Sequence, residues 1–139
     1  MEYRVCRNNP APYNDLNGKI SLLGLGTMRL PLRDAADQTS IDEEKAQEIF
    51  DYAYAHGVNY FDTAYPYHGG MSEKFCGKAL AKYPRASYHL ASKLPGWLLK
   101  CDEDVPRIFN EQLANCRTDY FDFYLSLIHI SEPTRQAEI

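Results

Sequence analysis

No apolar run in this chain approaches the ~18–20 residues that a membrane-crossing helix requires. The opening residues, Met1 to Cys6, carry no apolar signal segment. An excess of positive charge is also missing. The formal net charge is −4, which argues against a nucleic-acid or anionic-membrane surface. These absences make the cytoplasm the default location and leave neither nucleic acid nor membrane as an expected partner. Cysteine is sparse. Cys6, Cys76, Cys101 and Cys116 form no Cys-x-x-Cys pair, and no histidine stands at zinc-finger spacing from them, so no metal site is expected. Cys76 and Cys116 fall on apolar helical positions and read as small core residues. What is present is the profile of a globular protein: 139 residues, 45% hydrophobic and 24% charged, enough for one domain with a real core.

Tyr3–Cys6 and Lys19–Leu23 read as two short strands around a loop dense in turn formers, Asn8–Gly18. Ser21–Leu25 leads into Gly26 to Pro31. Ser40-Ile41-Asp42-Glu43 has the pattern of a capping box, with Ser40 as N-cap. Ala46, Ile49, Phe50 and Ala53 follow at helical spacing, and Gly57 stops the helix. Val58–Asp62 is a strand. Ser72 is placed to cap a second helix with Phe75, Cys76, Ala79 and Leu80 facing inward. Tyr88–Lys93 is the next strand. A third helix runs from about Glu103 to Cys116, its apolar face made by Val105, Ile108, Phe109, Leu113 and Cys116. Phe121–Leu125 is the last strand.

Strands therefore start near positions 21, 58, 88 and 121, with helices between them. Steps of about 30 residues are the size of a βα unit and imply parallel strands covered by helices. A doubly wound sheet and a barrel both fit this order. No dinucleotide fingerprint opens a helix, because Gly24-x-Gly26 continues as Thr27-Met28-Arg29 without a third glycine; this favours the barrel. A complete barrel needs about 250 residues, so the chain supplies about half of one.

Several segments together resemble the aldo-keto reductase family. They are Gly24-x-Gly26-Thr27-Met28-Arg29, Phe61-Asp62-Thr63-Ala64 with Tyr67 following, Ala91-Ser92-Lys93, and Thr118-Asp119-Tyr120-x-Asp122-x-Tyr124-Leu125. Tyr67-His68-Gly69-Gly70 and Lys93-Leu94-Pro95-x-Trp97 are similar to a branch whose barrel is followed by an iron–sulfur segment. A 4Fe–4S cluster is implied there only for a full-length parent, and none for these residues. The resemblance implies an α/β fold: the N-terminal half of a (β/α)8 TIM barrel preceded by a short β-hairpin. Residues 1–23 would form the hairpin and the start of the first barrel strand. Residues 21–125 would form about four βα units. The resemblance also implies NADP(H)-dependent reduction of small aldehydes or ketones, with Asp62, Tyr67 and Lys93 in the catalytic set and Gly26, Thr27, Met28 and Asp62 near the cofactor.

In that scheme Tyr67 donates the proton, since a phenol is neutral at pH 7 with a pKa of about 10. Lys93 stabilises the phenolate left behind, and Asp62 holds and neutralises Lys93. The family's fourth member, a histidine that orients the carbonyl, would fall at position 127, where this chain has Leu127; His129 is out of register by two. Ser126–Arg135 is similar to a translated sequencing-library adapter. Residues 126–139 are accordingly expected to be a non-native tail, and His129 is not assigned to catalysis. The isolated chain is expected to be inactive. A reductase-like NADP(H)-sensing subunit and a non-functional fragment remain open as alternatives, and oligomeric state is not readable.

Other residues carry plainer expectations. Tyr65, the rival phenol, reads as a loop-packing residue. His68 either touches substrate or sits on the loop surface. His56 and His89 read as structural, Arg29 as a partner for a carboxylate or for the cofactor, and Trp97 as a pocket wall or a cover over the core.

Overall fold

The computed structural model describes residues 1–5 and 19–127. Cys6, the Asn8–Gly18 loop, His129 and all of the proposed tail beyond Leu127 lie outside the described residues. Two short strands, β1 (Tyr3–Val5) and β2 (Lys19–Ser21), pair antiparallel. The remaining elements are β3 (Leu25–Gly26), α1 (Glu43–Ala55), β4 (Tyr60–Asp62), α2 (Met71–Leu80), β5 (His89–Pro95), α3 (Asp104–Cys116) and β6 (Phe123–Leu127). Strands β3 to β6 form a parallel sheet whose spatial order equals the chain order. A doubly wound sheet would reverse its order at a switch point. The uninterrupted order is that of a barrel wall, and the four strands make a partial barrel.

The strands begin later than the apolar pattern suggests. Ser21 and Asn59 bond reciprocally, with Ser21 N–H on Asn59 Oδ1 at 2.8 Å and Asn59 N–H on Ser21 Oγ at 3.1 Å. Side-chain oxygens therefore satisfy these two N–H groups, and neither needs a partner in the parallel ladder. Two expected caps are also displaced. Asp42, not Ser40, caps α1, accepting from the Lys45 N–H at 3.3 Å. Ser40 Oγ instead accepts the Asp34 N–H and donates within the Asp34–Asp37 loop. Helix α2 starts from Gly70 at φ 87°, a left-handed conformation suited to glycine, while Ser72 is fully buried.

The core lies between the helices and the outer sheet face. Phe50 of α1 stacks on Phe61 of β4 at 5.3 Å and meets Phe75 of α2 edge-on at 5.5 Å. Each fully buried aromatic contributes about 1.5–3 kcal/mol relative to exposure. Cys76 and Cys116 are both buried in this layer, as expected from their helical positions. On α3, however, Val105 is exposed, and Gln112 is fully buried on the inward face.

Helices α2 and α3 touch at Gly77. A Cβ there would lie 2.6 Å from the Cys116 carbonyl carbon and 2.7 Å from Asn115 O, both rigid backbone. Gly77→Ala should therefore push the helices apart and destabilise by about 1–3 kcal/mol, the range for overpacking. Chemical denaturation would measure it; an unchanged midpoint would show that α3 can slide at no cost.

Candidate active site

Side chains alternate across the sheet. Phe61 and Leu90 face the helices, so Tyr60, Asp62, His89, Ala91, Lys93 and Phe123 belong to the opposite, inner face; there the Tyr60 and Phe123 rings lie 5.4 Å apart and the His89 and Phe123 rings 5.9 Å apart. Asp62 is the last residue of β4 and is in register with Ala91. Lys93, two residues further along β5, reaches back over the end of β4. Its Nζ lies 2.5 Å from Asp62 Oδ1 and 2.8 Å from Thr63 O. The side chains of Lys93 and Asp62 are 13% and 25% exposed. The ion pair is thus open to small molecules on the inner face yet shielded enough to matter.

Tyr67 opens a 3-10 turn, Tyr67–Gly70, after the β4 loop. Lys93 Nζ sits 5.0 Å from its ring centroid. The three residues picked from the sequence therefore converge, with the ammonium between a carboxylate and a phenol ring. Tyr65 is engaged elsewhere. Its hydroxyl donates to Glu111 Oε1 at 3.0 Å, tying the loop to α3. Burial raises the Tyr65 pKa, and the bond to Glu111 raises it further.

The residues expected near a cofactor separate into two kinds. Thr27 is fully buried, and its groups are already in use: N–H on Asp62 O at 2.9 Å, Oγ1 on the same carbonyl at 2.9 Å, and a 2.7 Å contact with Ser72 Oγ. It fixes the end of β4 and turns no polar group outward, a role its sequence context did not reveal. Gly26 and Met28 are exposed, and a Cβ on Gly26 would meet nothing within 4 Å. Gly26 is in register with Asp62, so this open space adjoins the end of β4.

His68 takes neither of its expected roles. It is buried at φ 54°. Its Nε2 accepts the Leu30 N–H at 3.1 Å, which leaves Nδ1 to donate to Gln38 O at 2.9 Å. It pins two loops together. His56 and His89 are structural: His56 bonds Tyr52 O, and His89 bonds Lys19 O. Trp97 lines a surface groove with Tyr65, Lys74 and Glu111, and none of Asp62, Tyr67 and Lys93 borders that groove.

Sequence reasoning passed over a polar plate behind β5. Glu73, Ser92 and Gln112 are each fully buried and mutually bonded. A glutamate in a helix's first turn and a glutamine between apolar positions look like solvated residues, and only the tertiary structure brings them together.

The aldo/keto reductase family profile matches residues 22–138. L-galactose dehydrogenase of Arabidopsis thaliana is 34% identical over 110 residues, covering 75% of this chain and 33% of that protein. A putative aryl-alcohol dehydrogenase of Schizosaccharomyces pombe is 40% identical over 96 residues, covering 67% and 26%. Among solved structures, the holo form of an aldo-keto reductase from Bacillus halodurans superposes with a TM-score of 0.67 at 29% identity, covering 91% of this chain and 40% of that one. An aldo-keto reductase from Klebsiella pneumoniae in complex with NADPH gives 0.64 at 25% identity, covering 91% and 39%. The chain spans between 26% and 33% of the two curated relatives named.

Proposed function

The chain belongs to the aldo/keto reductase family, and we propose that it carries the proton-delivery part of an NADP(H)-dependent carbonyl reductase. The observation that carries this reading is the Lys93 ammonium held between the Asp62 carboxylate and the Tyr67 ring.

When bound, the nicotinamide supplies the hydride for the carbonyl carbon. The protein's task is the oxygen, which gains negative charge as that transfer proceeds. Tyr67 gives its hydroxyl proton to that oxygen. The phenolate formed is stabilised by the cation beside it, because an opposite charge within a few ångströms favours the ionised form. Asp62 holds the ammonium in place and offsets the cost of keeping a cation in a shielded position. Thr27 bonds the Asp62 carbonyl twice and fixes the strand end from which this carboxylate projects. Gly26 and Met28 would lie along the cofactor. No step draws on an iron–sulfur cluster.

Turnover needs more than these residues. Among the described residues the parallel sheet has four strands, where the barrel architecture closes with eight. Position 127, where the family scheme calls for an imidazole, is Leu127 in β6. The purified 139-residue chain should therefore oxidise no NADPH above background with simple aldehydes or ketones, whereas a polypeptide continuing this segment through a complete barrel should. Measurable reduction by the 139-residue chain itself would overturn the first expectation. NADPH binding by the completed barrel with no carbonyl reduced would replace the reductase reading with that of a cofactor-binding subunit.

A further inference from the structure

We propose that Glu73 is a positioning residue that sets the Lys93 ammonium through Gln112 and the backbone of β5. The inference rests on the reading of Lys93 as part of the proton-delivery site.

On its β4 side, strand β5 runs out of partners just before Lys93. Ala91 O accepts the Thr63 N–H at 2.9 Å. The ladder register between β4 and β5 ends at Asp62 and Ala91. Backbone groups two residues apart on a strand point to the same side, so the Lys93 carbonyl points to where β4 has already turned away. An unpaired buried carbonyl is costly. Gln112 of α3 fills the gap, donating from Nε2 to Lys93 O at 3.1 Å. The same NH2 shares its two protons with two further acceptors, Glu73 Oε1 at 2.6 Å and Ser92 Oγ at 3.0 Å, and the Gln112 oxygen accepts the Tyr124 hydroxyl at 2.6 Å.

Glu73 decides which way that amide faces. Its carboxylate accepts Ser92 Oγ at 2.7 Å and Asn115 Nδ2 at 3.2 Å besides Gln112. No ion pair among the described residues includes Glu73. Its two oxygens meet three donors, so each acts there as an acceptor. It therefore forces the Gln112 NH2 inward, toward Lys93 O, and the Gln112 oxygen toward Tyr124. A purely stabilising core could have used apolar residues here, since burying polar groups costs free energy unless each is bonded. What the plate adds is a fixed orientation, transmitted from α2 through α3 to the residue that carries the ammonium.

Glu73→Gln isolates this role. A neutral amide offers one acceptor oxygen where Glu73 offers Oε1 to Ser92 and Gln112 and Oε2 to Asn115, so its NH2 opposes a donor at either place, the network rearranges and the hold on the Gln112 amide and on Lys93 O is loosened. The readout is the Lys93 ε-methylene NMR signal in the labelled 139-residue chain, displaced by the neighbouring Tyr67 ring and assigned by its loss in Lys93→Met. In Glu73→Gln that displacement should be lost. Tyr124→Phe, which removes only the hydroxyl holding the Gln112 oxygen, should diminish it and serves if Glu73→Gln does not fold. Phe75→Leu, a core change that removes none of the plate's hydrogen bonds, should lower the melting temperature and leave the signal in place. An unchanged Lys93 signal in a folded Glu73→Gln or Tyr124→Phe chain overturns the proposal, as does an equal change in Phe75→Leu. A Tyr67→Phe enzyme that stays active would instead remove the proton-donor reading while leaving this signature as it is.

Discussion

Tyr67→Phe should reduce carbonyl reduction by about 10²–10⁴-fold, the usual worth of a general acid, in a polypeptide whose barrel is complete, while Tyr65→Phe should leave it nearly unchanged. The two tyrosines stand two residues apart on one loop and differ in surroundings. The Tyr67 ring lies 5.0 Å from the Lys93 ammonium, a position from which the cation faces the charge left on the phenol oxygen when the proton is transferred. The Tyr65 hydroxyl is already committed to Glu111, and burial followed by that carboxylate makes it a weaker acid. Removing one oxygen from Tyr67 leaves its ring against Lys93, so the pocket keeps its shape. The loss should fall on kcat, with KM for NADPH little altered, as for an interaction made only in the transition state. A Tyr67→Phe enzyme with full kcat would end the assignment, and so would an equal loss in Tyr65→Phe.

The parts of this picture that were legible in the sequence are those set by local rules. The βα period gave the parallel sheet, because strand, helix and turn each have their own spacing. Asp62 and Lys93 were readable because each stands at or near the C-terminal end of a strand, within a motif of fixed length. Cys76 and Cys116 followed from helical periodicity. The misreadings share one cause, which is competition between a local pattern and a distant partner. Ser40 has an acceptor-rich side chain ahead of a helix, yet the Asp34–Asp37 loop claims its hydroxyl, and Asp42 caps instead. Ser72 stands where an N-cap could be, but Thr27 and Thr63 hold its oxygen in the core. His68 looked like a loop residue because its partners, Leu30 and Gln38, belong to the previous βα connection. Glu73 and Gln112 are 39 residues apart, and no short-range rule links a first-turn glutamate to a glutamine on the next helix.

At the opposite end of the strands, Asp122→Ala should cost the fold about 3 kcal/mol, toward the lower end of the range for breaking a buried ion pair. The Asp122 side chain is 2% exposed and Arg85 is 22% exposed, so the cation keeps some water and the full range does not apply. Asp122 Oδ2 accepts the Leu90 N–H at 2.8 Å and Arg85 Nη2 at 2.7 Å. Arg85 retains other anchors after the change: Thr118 Oγ1, the carbonyls of Tyr88 and Tyr120, and the Tyr120 ring at 3.8 Å. The Leu90 N–H has no such reserve, and an unmet buried donor is what makes the substitution expensive. The same carboxylate gives the fold an acid dependence. Burial alone would raise its pKa; the bonds from His89 and the Leu90 N–H, with the charge of Arg85, outweigh burial and leave it lowered. A carboxyl whose folded pKa lies below its unfolded value of about 3.9 stabilises the fold above that pH, and the contribution is lost as pH falls through the folded value. Urea titrations at neutral pH and in acid should therefore show wild-type stability declining below about pH 4, with a shallower decline in Asp122→Asn. An equal acid slope in the two proteins would mean that this carboxylate is not what couples the strand ends to pH. A neutral-pH midpoint unmoved by Asp122→Ala would mean that water reaches the Leu90 N–H and that Arg85 alone clamps β5 to β6.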